Sequence, residues 1–309
     1  MSIIMEKVVV LQNPEMARTE SKVSISKKKT RFSDDILCVL IYLSAGVSVA
    51  LLIGILGYVL IKGIGQVNWS FLTSVTSVLA GTTGIAGNIV NTLYVIVLTL
   101  IVAAPVGIGS AIYLNEYAKP GKIVKIIEFT TETLSGIPSI IFGLFGMVFF
   151  GNTLGLGYSL LTGSLTLAIM VLPLITRNTQ EALKRVPESY RNGALGMGAT
   201  KWYMIRTILL PSAMPGIVTG VILAIGRIVG ESAALLFTAG SGFLLPKTAG
   251  GYLTKVLDSG GTLTIQLYLS MSKGQYGIAF GIALVLLVIV LIINMITKVI
   301  ARKLDVTNQ

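Results

Sequence analysis

Long apolar runs alternate with short polar segments along this chain, and six of the runs approach the length of a membrane-spanning helix. A hydrocarbon core of about 30 Å requires about 20 residues at a rise of 1.5 Å each. The runs are Ile36 to Ile61, Ile89 to Leu114, Ile126 to Phe150, Ser159 to Ile175, Ala213 to Ala239 and Tyr276 to Ile300. The fourth is short, and the third and fifth carry polar residues. A further stretch, Leu263 to Met271, is too short to span. The predicted fold class is an all-α integral membrane protein with six transmembrane helices.

Composition agrees with the pattern. Hydrophobic residues make up 53% and charged residues 12%, against roughly 25% charged in a soluble domain, and the mean hydropathy is +0.84. The net charge of +11 raises the question of nucleic acid, which the placement of the basic residues answers. Nineteen of the 24 Lys and Arg lie before the first run, after the second and fourth, or at and beyond the end of the sixth. By the positive-inside rule this alternation is membrane topology with both termini cytoplasmic, not a nucleic-acid surface. The polar stretch that comes first does not have the form of a cleavable secretory signal. The single Cys38 cannot form an intrachain disulfide, and the absence of histidine removes the commonest metal ligand and proton shuttle.

These features predict a basic cytoplasmic tail over residues 1–35, lying against anionic lipid headgroups. A first helix over 36–62 and an extracytoplasmic segment over 63–88 follow. The segment contains Trp69 as an interfacial anchor and a turn-forming stretch, Gly81-Thr-Thr-Gly-Ile-Ala-Gly87. A membrane core over 89–300 and a cytoplasmic tail over 301–309 complete the chain. Within the core, residues 177–212 form the longest polar interruption; apolar residues at helical spacing predict a short amphipathic helix, a turn at Gly198 and a second helix. Such a hairpin offers one face to a partner.

Arg227 and Glu231 are four apart in the fifth run, which predicts one face near mid-membrane. A lone arginine there costs about 2.5 kcal/mol or more, so the pair should face the bundle interior or a wet path. It reads either as a buried ion pair fixing helix register or as an anion path in which Glu231 competes for Arg227 and keeps binding weak. Glu128 and Glu132 repeat the spacing at the start of the third run, where carboxylates suit a helix N-terminus. Pro138 removes a backbone donor in that run and predicts a kink or hinge. The pairs Gly216/Gly220, Gly226/Gly230 and Gly277/Gly281 permit close helix approach. No Gly-x-x-x-x-Gly-Lys-Ser/Thr segment is present to cradle nucleotide phosphates.

In the cytoplasmic loop, Gly198, nine residues and then Ile208-Leu-Leu-Pro211 resemble the Gly-x9-Ile-x-Leu-Pro half of the EAA loop of ABC importer permeases. The acidic-Ala-Ala half is here Asn192-Gly193-Ala194, so the family's loop glutamate is replaced. Gly107-Ile-Gly-Ser-Ala-Ile-Tyr-Leu-Asn-Glu-Tyr117, Thr133-Leu-Ser-Gly-Ile-Pro-Ser-Ile-Ile-Phe-Gly-Leu-Phe-Gly146 and Gly226-Arg-Ile-Val-Gly-Glu-Ser-Ala-Ala-Leu-Leu-Phe-Thr-Ala239 are similar to phosphate ABC transporter permeases. The last ending resembles the PstA-type subunit more than its PstC-type partner.

The resemblance implies a type I importer fold in a prokaryotic cytoplasmic membrane. A PstC-like permease, a PstB-like ATPase dimer and a PstS-like extracytoplasmic phosphate-binding protein would be the partners, with ATP and magnesium held by the ATPase and no cofactor or catalytic site on this chain. It marks Asn192, Gly193, Ala194, Gly198, Ala199, Ile208, Leu210 and Pro211 as the coupling loop and Arg227 and Glu231 as substrate path. Glu132 is expected beside them on the path, and Pro138 is the expected hinge through its missing backbone donor. A sulfate, molybdate or phosphonate permease, an ATP-independent channel or carrier, and a sensory scaffold remain the competing readings.

Overall fold

The computed structural model describes residues 32–77, 82–119, 121–246 and 249–304. The chain divides into two compact units, one ending at Leu56 and the other beginning at Gly57. The first holds most of helix α1 (Phe32–Gly63), whose most apolar stretch has a mean hydropathy of 2.7. Of the basic tail expected over 1–35, residues 1–31 lie outside the described residues, while Phe32 to Asp35 are already helical.

The second unit opens with the last turns of α1, where Tyr58 meets Phe280 edge-on at 5.4 Å. Asn68 then caps α2 (Trp69–Thr73) by accepting the Phe71 N–H. Strand β1 (Val75–Ser77) pairs antiparallel with β2 (Thr82–Ile85). The Gly/Thr-rich stretch expected to turn therefore supplies a strand and the first turn of α3 (Ala86–Ile112), with Gly81 outside the described residues. A π-helical turn, Tyr113–Tyr117, extends α3 into one continuous span.

Helices α4 (Lys122–Ser135) and α5 (Ser139–Gly146), the latter extended by a π-helical segment Met147–Thr153, meet at 102°. Pro138 lacks an N–H and disfavours helical backbone at Ile137 before it. The last turn of α4 accordingly tightens into short bonds, Gly136 N–H to Thr133 and Ile137 N–H to Leu134. The chain continues through α6 (Leu160–Lys184), α7 (Glu188–Gly196), α8 (Lys201–Met204), a π-helical turn Ile205–Leu209 and α9 (Leu210–Gly230). Helices α10 (Ala233–Thr238), α11 (Ala249–Thr254), α12 (Leu263–Ser272) and α13 (Tyr276–Leu304) complete it. Helix α13 thus covers part of the tail expected over 301–309.

Five helices are long and apolar enough to cross a bilayer, and the bent pair α4–α5 qualifies as a sixth. The fifth expected span, Ala213 to Ala239, is not one helix: α9 stops at Gly230 and Glu231 is extended, with φ −81° and ψ 127°. Helix α6 is the axis of the unit. Ser159 starts it by accepting the Thr162 N–H, and Leu160, Leu167, Val171, Ile175 and Leu183 are fully buried along it. It packs against α3 and α9.

At the start of α3, Asn88 donates to the Gly261 carbonyl at 2.9 Å. Asn91 donates to Gly242 at 3.0 Å and Gly261 at 3.1 Å, and Thr92 accepts the Leu263 N–H at 3.0 Å. These contacts fasten the segment between α10 and α12 to α3. The same segment buries Lys255, whose Nζ donates to the Leu244 carbonyl at 2.8 Å. Burial pushes that ammonium below the usual lysine range, with Asp258 acting in the opposite direction.

The small-residue pairs separate by role. A Cβ on Gly216 would lie 2.5 Å from Ala182 Cβ, and one on Gly220 2.7 Å from Asn178 Cβ, so this pair sets the α6–α9 approach. Gly277 and Gly281 face Gln66 and Phe71 instead of a spanning helix, and Gly226 and Gly230 have open space. Gly216→Ala and Gly226→Ala gain the same helix propensity, about 1 kcal/mol, so their difference isolates packing. Gly216→Ala is expected to be the less stable by about 1–3 kcal/mol in thermal unfolding in detergent; equal stabilities would mean that α6 and α9 separate at no cost.

Candidate substrate path and coupling loop

A cavity of about 460 Å3 opens between α4, α6 and α9. Helix α4 contributes Glu128, Thr131, Glu132 and Ser135; α6 contributes Met170, Pro173, Leu174, Arg177, Gln180, Glu181 and Lys184; α9 contributes Arg227, and the π-helical turn contributes Leu114. Three cations and three carboxylates thus line one cavity. Arg177 Nη1 lies 3.8 Å from Glu132 Oε1, joining α6 to α4, and its Nε lies 3.6 Å from Glu181 Oε1. All three side chains are more than half exposed, so these pairs are weakly held and easily exchanged.

Two of the three expected path residues, Arg227 and Glu132, line this cavity, and Glu231 does not. The expectation of Arg227 and Glu231 on one continuous helical face fails because α9 ends between them. Arg227 lies in the last turn of α9, where the carbonyl end of the helix favours a cation. Glu231 instead accepts the Ala234 N–H on Oε1 at 3.1 Å, capping α10, while its own carbonyl accepts the Thr264 hydroxyl at 2.9 Å. Among the described residues no ion pair joins Arg227 to Glu231. The macrodipole reading of Glu128 and Glu132 also fails, since α4 begins at Lys122 and has no acidic residue in its first turn.

Sequence reasoning missed Arg177, Glu181 and Lys184. The signal was present: α6 continues beyond Ile175, placing Arg177, Glu181 and Lys184 at helical spacing on one side. Counting Lys and Arg for topology registers Arg177 and Lys184 only as loop charge and does not register Glu181.

The expected hairpin is present as α7, a turn and α8. Gly198 has φ +83°, a conformation glycine adopts freely, and Thr200 caps α8 by accepting the Tyr203 N–H. Ala194, Met204, Ile205 and Leu209 are buried against Leu183, Val186, Ala213 and Ile217. Ala199, Ile208 and Leu210 are partly buried against that cluster, and Pro211 sits in the first turn of α9. Asn192, Gly193 and Gly198 are exposed, with Leu195, Met197, Trp202 and Tyr203 beside them. A second missed feature is Arg191, whose side chain points inward and pairs with Glu116.

Bilayer-length helices, a charged cavity between them and an exposed hairpin define an integral membrane protein. The chain belongs to the family described as binding-protein-dependent transport system inner membrane component, which matches residues 103–306. It is 39% identical over 198 residues to the probable ABC transporter permease protein YqgI of Bacillus subtilis (strain 168), covering 64% of this chain and 67% of that protein. It is 35% identical over 178 residues to the phosphate transport system permease protein PstA of Xylella fastidiosa (strain Temecula1), covering 58% of this chain and 62% of that one. A crystal structure of a bacterial ABC transporter involved in the import of the acidic polysaccharide alginate shares the fold. Its chain matches with a TM-score of 0.64 at 17% identity, over 88% of this chain and 96% of that one. The chain is an ABC importer permease with the type I fold, as the motifs implied.

The cap at Glu231 is open to test. Glu231→Ala is expected to cost about 0.5–2 kcal/mol of stability through loss of the α10 cap, whereas Glu231→Gln retains an acceptor oxygen and most of that stability. Equal losses in thermal unfolding would show that the charge, not the cap, is what the fold uses.

Proposed function

We propose that the chain is the PstA-type permease of a phosphate importer in a prokaryotic cytoplasmic membrane, with both termini cytoplasmic. The observation that carries this reading is the cavity in which Arg227, Arg177 and Lys184 stand among Glu128, Glu132 and Glu181. Guanidinium groups bind phosphate oxygens through charge-assisted hydrogen bonds. The neighbouring carboxylates compete for the same donors, so that the anion is passed on and not trapped. Arg227 makes the first contact, and Arg177 exchanges Glu132 for phosphate. Glu231 acts from outside the cavity by holding the break that ends α9. The bend at Pro138 is the hinge on which α4 shifts against α5. Similarity to the Xylella PstA supports phosphate over other oxyanions.

In this reading a PstC-like permease completes the path and a PstS-like binding protein delivers phosphate from outside. A PstB-like ATPase dimer, holding ATP and magnesium, docks on the exposed side of the hairpin at Asn192, Gly193 and Gly198. Ala194, Ala199, Ile208, Leu210 and Pro211 hold the hairpin's shape from within.

Radiolabelled phosphate uptake in proteoliposomes containing all four proteins tests this. Uptake is expected to require both internal ATP and the binding protein, and Arg227→Gln is expected to lower it about tenfold, corresponding to about 1.4 kcal/mol. No uptake by the folded, assembled complex, or ATP-driven uptake of sulfate in place of phosphate, would overturn the assignment.

A further inference from the structure

Glu116 closes the motif that ends the α3 span, and its side chain is 5% exposed. A buried carboxylate is stable only when paired and hydrogen-bonded. Its partner comes from the hairpin: Arg191 of α7 approaches Glu116 Oε1 with Nη2 at 3.0 Å and Nε at 3.3 Å, and Asn115 donates to the same oxygen at 2.6 Å. Arg191 also donates from Nη1 to the Val186 carbonyl and from Nη2 to the Leu183 carbonyl, each at 2.9 Å. The Leu183 carbonyl belongs to the last turn of α6, where it also accepts the Val186 N–H at 3.3 Å. One guanidinium therefore ties together the end of α3, the end of α6 and α7. A second contact repeats the connection, since Lys201 of α8 lies 5.0 Å over the Tyr117 ring. Both helices of the hairpin thus engage the π-helical turn Tyr113–Tyr117.

The other end of the same span is equally committed. Asn88, Asn91 and Thr92 hold Gly242, Gly261 and Leu263, and with them the segment that joins α10 to α12. The two attachments sit near opposite ends of one continuous helix of 32 residues, about 48 Å long at 1.5 Å per residue. Pro105 lies inside this helix, yet the span remains unbroken, and an unbroken helix fixed to a moving part at one end and to a loop at the other carries displacement between them.

We propose that α3 is the rod that carries movement of the coupling hairpin to the 240–263 segment, with Arg191 and Glu116 as the positioning residues that latch its driven end. This rests on the reading of the hairpin as the ATPase docking site and does not depend on which oxyanion is carried. A lysine cannot replace Arg191, because a single ammonium does not reach Glu116, Leu183 and Val186 in the planar fork a guanidinium provides.

The test uses the assembled four-protein complex in a Cys38→Ser background, with Leu244→Cys as a reporter in the far segment. Leu244 is exposed, so its labelling by a maleimide is measurable. ATP with vanadate is expected to change the labelling rate at least about fivefold, the low end of coupling between linked sites. Arg191→Lys is expected to abolish that change while basal ATP hydrolysis and complex yield stay at the parental level. A reporter that ignores ATP in the parental complex would overturn the rod, and one that still responds in Arg191→Lys would overturn the latch. Should Arg191→Lys fail to assemble, the shape-preserving Glu116→Gln decides in the same way: loss of the response supports the latch and a full response refutes it. Phosphate uptake, measured separately, reports on the substrate assignment alone.

Discussion

Within hydrocarbon a helix can stop only where something else takes up its terminal backbone groups, and two such stops arrange the working parts of this permease. At the first, Pro138 brings no N–H to satisfy, and the last turn of α4 closes on itself through short bonds to Thr133 and Leu134. At the second, the Glu231 carboxylate accepts the Ala234 N–H while the Thr264 hydroxyl donates to the Glu231 carbonyl. The first stop turns α4 through 102° relative to α5 and lays its carboxylates along the cavity. The second leaves Arg227 in the last turn of α9, exposed on the cavity wall.

Packing around α6 explains why a charged cavity and a partner-binding hairpin can share one small bundle. The first part of α6 belongs to a large apolar cluster with α3, α9 and α10, whereas its last turn, at Ala182 and Leu183, with Val186 just beyond it, anchors the hairpin cluster. Close contact at Gly216 and Gly220 holds α9 to α6 between these regions. The cavity lines the other flank of α6, so movement of the hairpin and rearrangement of Arg177, Glu181 and Lys184 involve one helix. The buried Arg191–Glu116 pair adds α3 to that connection.

Much of this was legible from residue order. Apolar run lengths located the spans, the Gly198 turn and the flanking helices were readable from spacing, and the motif segments identified the importer fold. The ion-pair reading of Arg227 and Glu231 failed because four-residue spacing implies one face only if the helix continues, and nothing in Gly230-Glu231-Ser232 outweighed the apolar residues on either side. The partners of Glu132 and Glu116 lie 45 and 75 positions away, at Arg177 and Arg191. Local periodicity cannot register such separations. The break at Pro138 was readable because proline carries its own backbone constraint.

The central claim is that the cavity between α4, α6 and α9 lies on the anion path. Ser135 is small, neutral, exposed and on its wall, so Ser135→Cys in a Cys38→Ser background lets a negatively charged thiosulfonate report on the path from the cytoplasmic side of the assembled importer. The account predicts that modification blocks phosphate uptake and that phosphate slows the modification. Complete modification with uptake undiminished would contradict it.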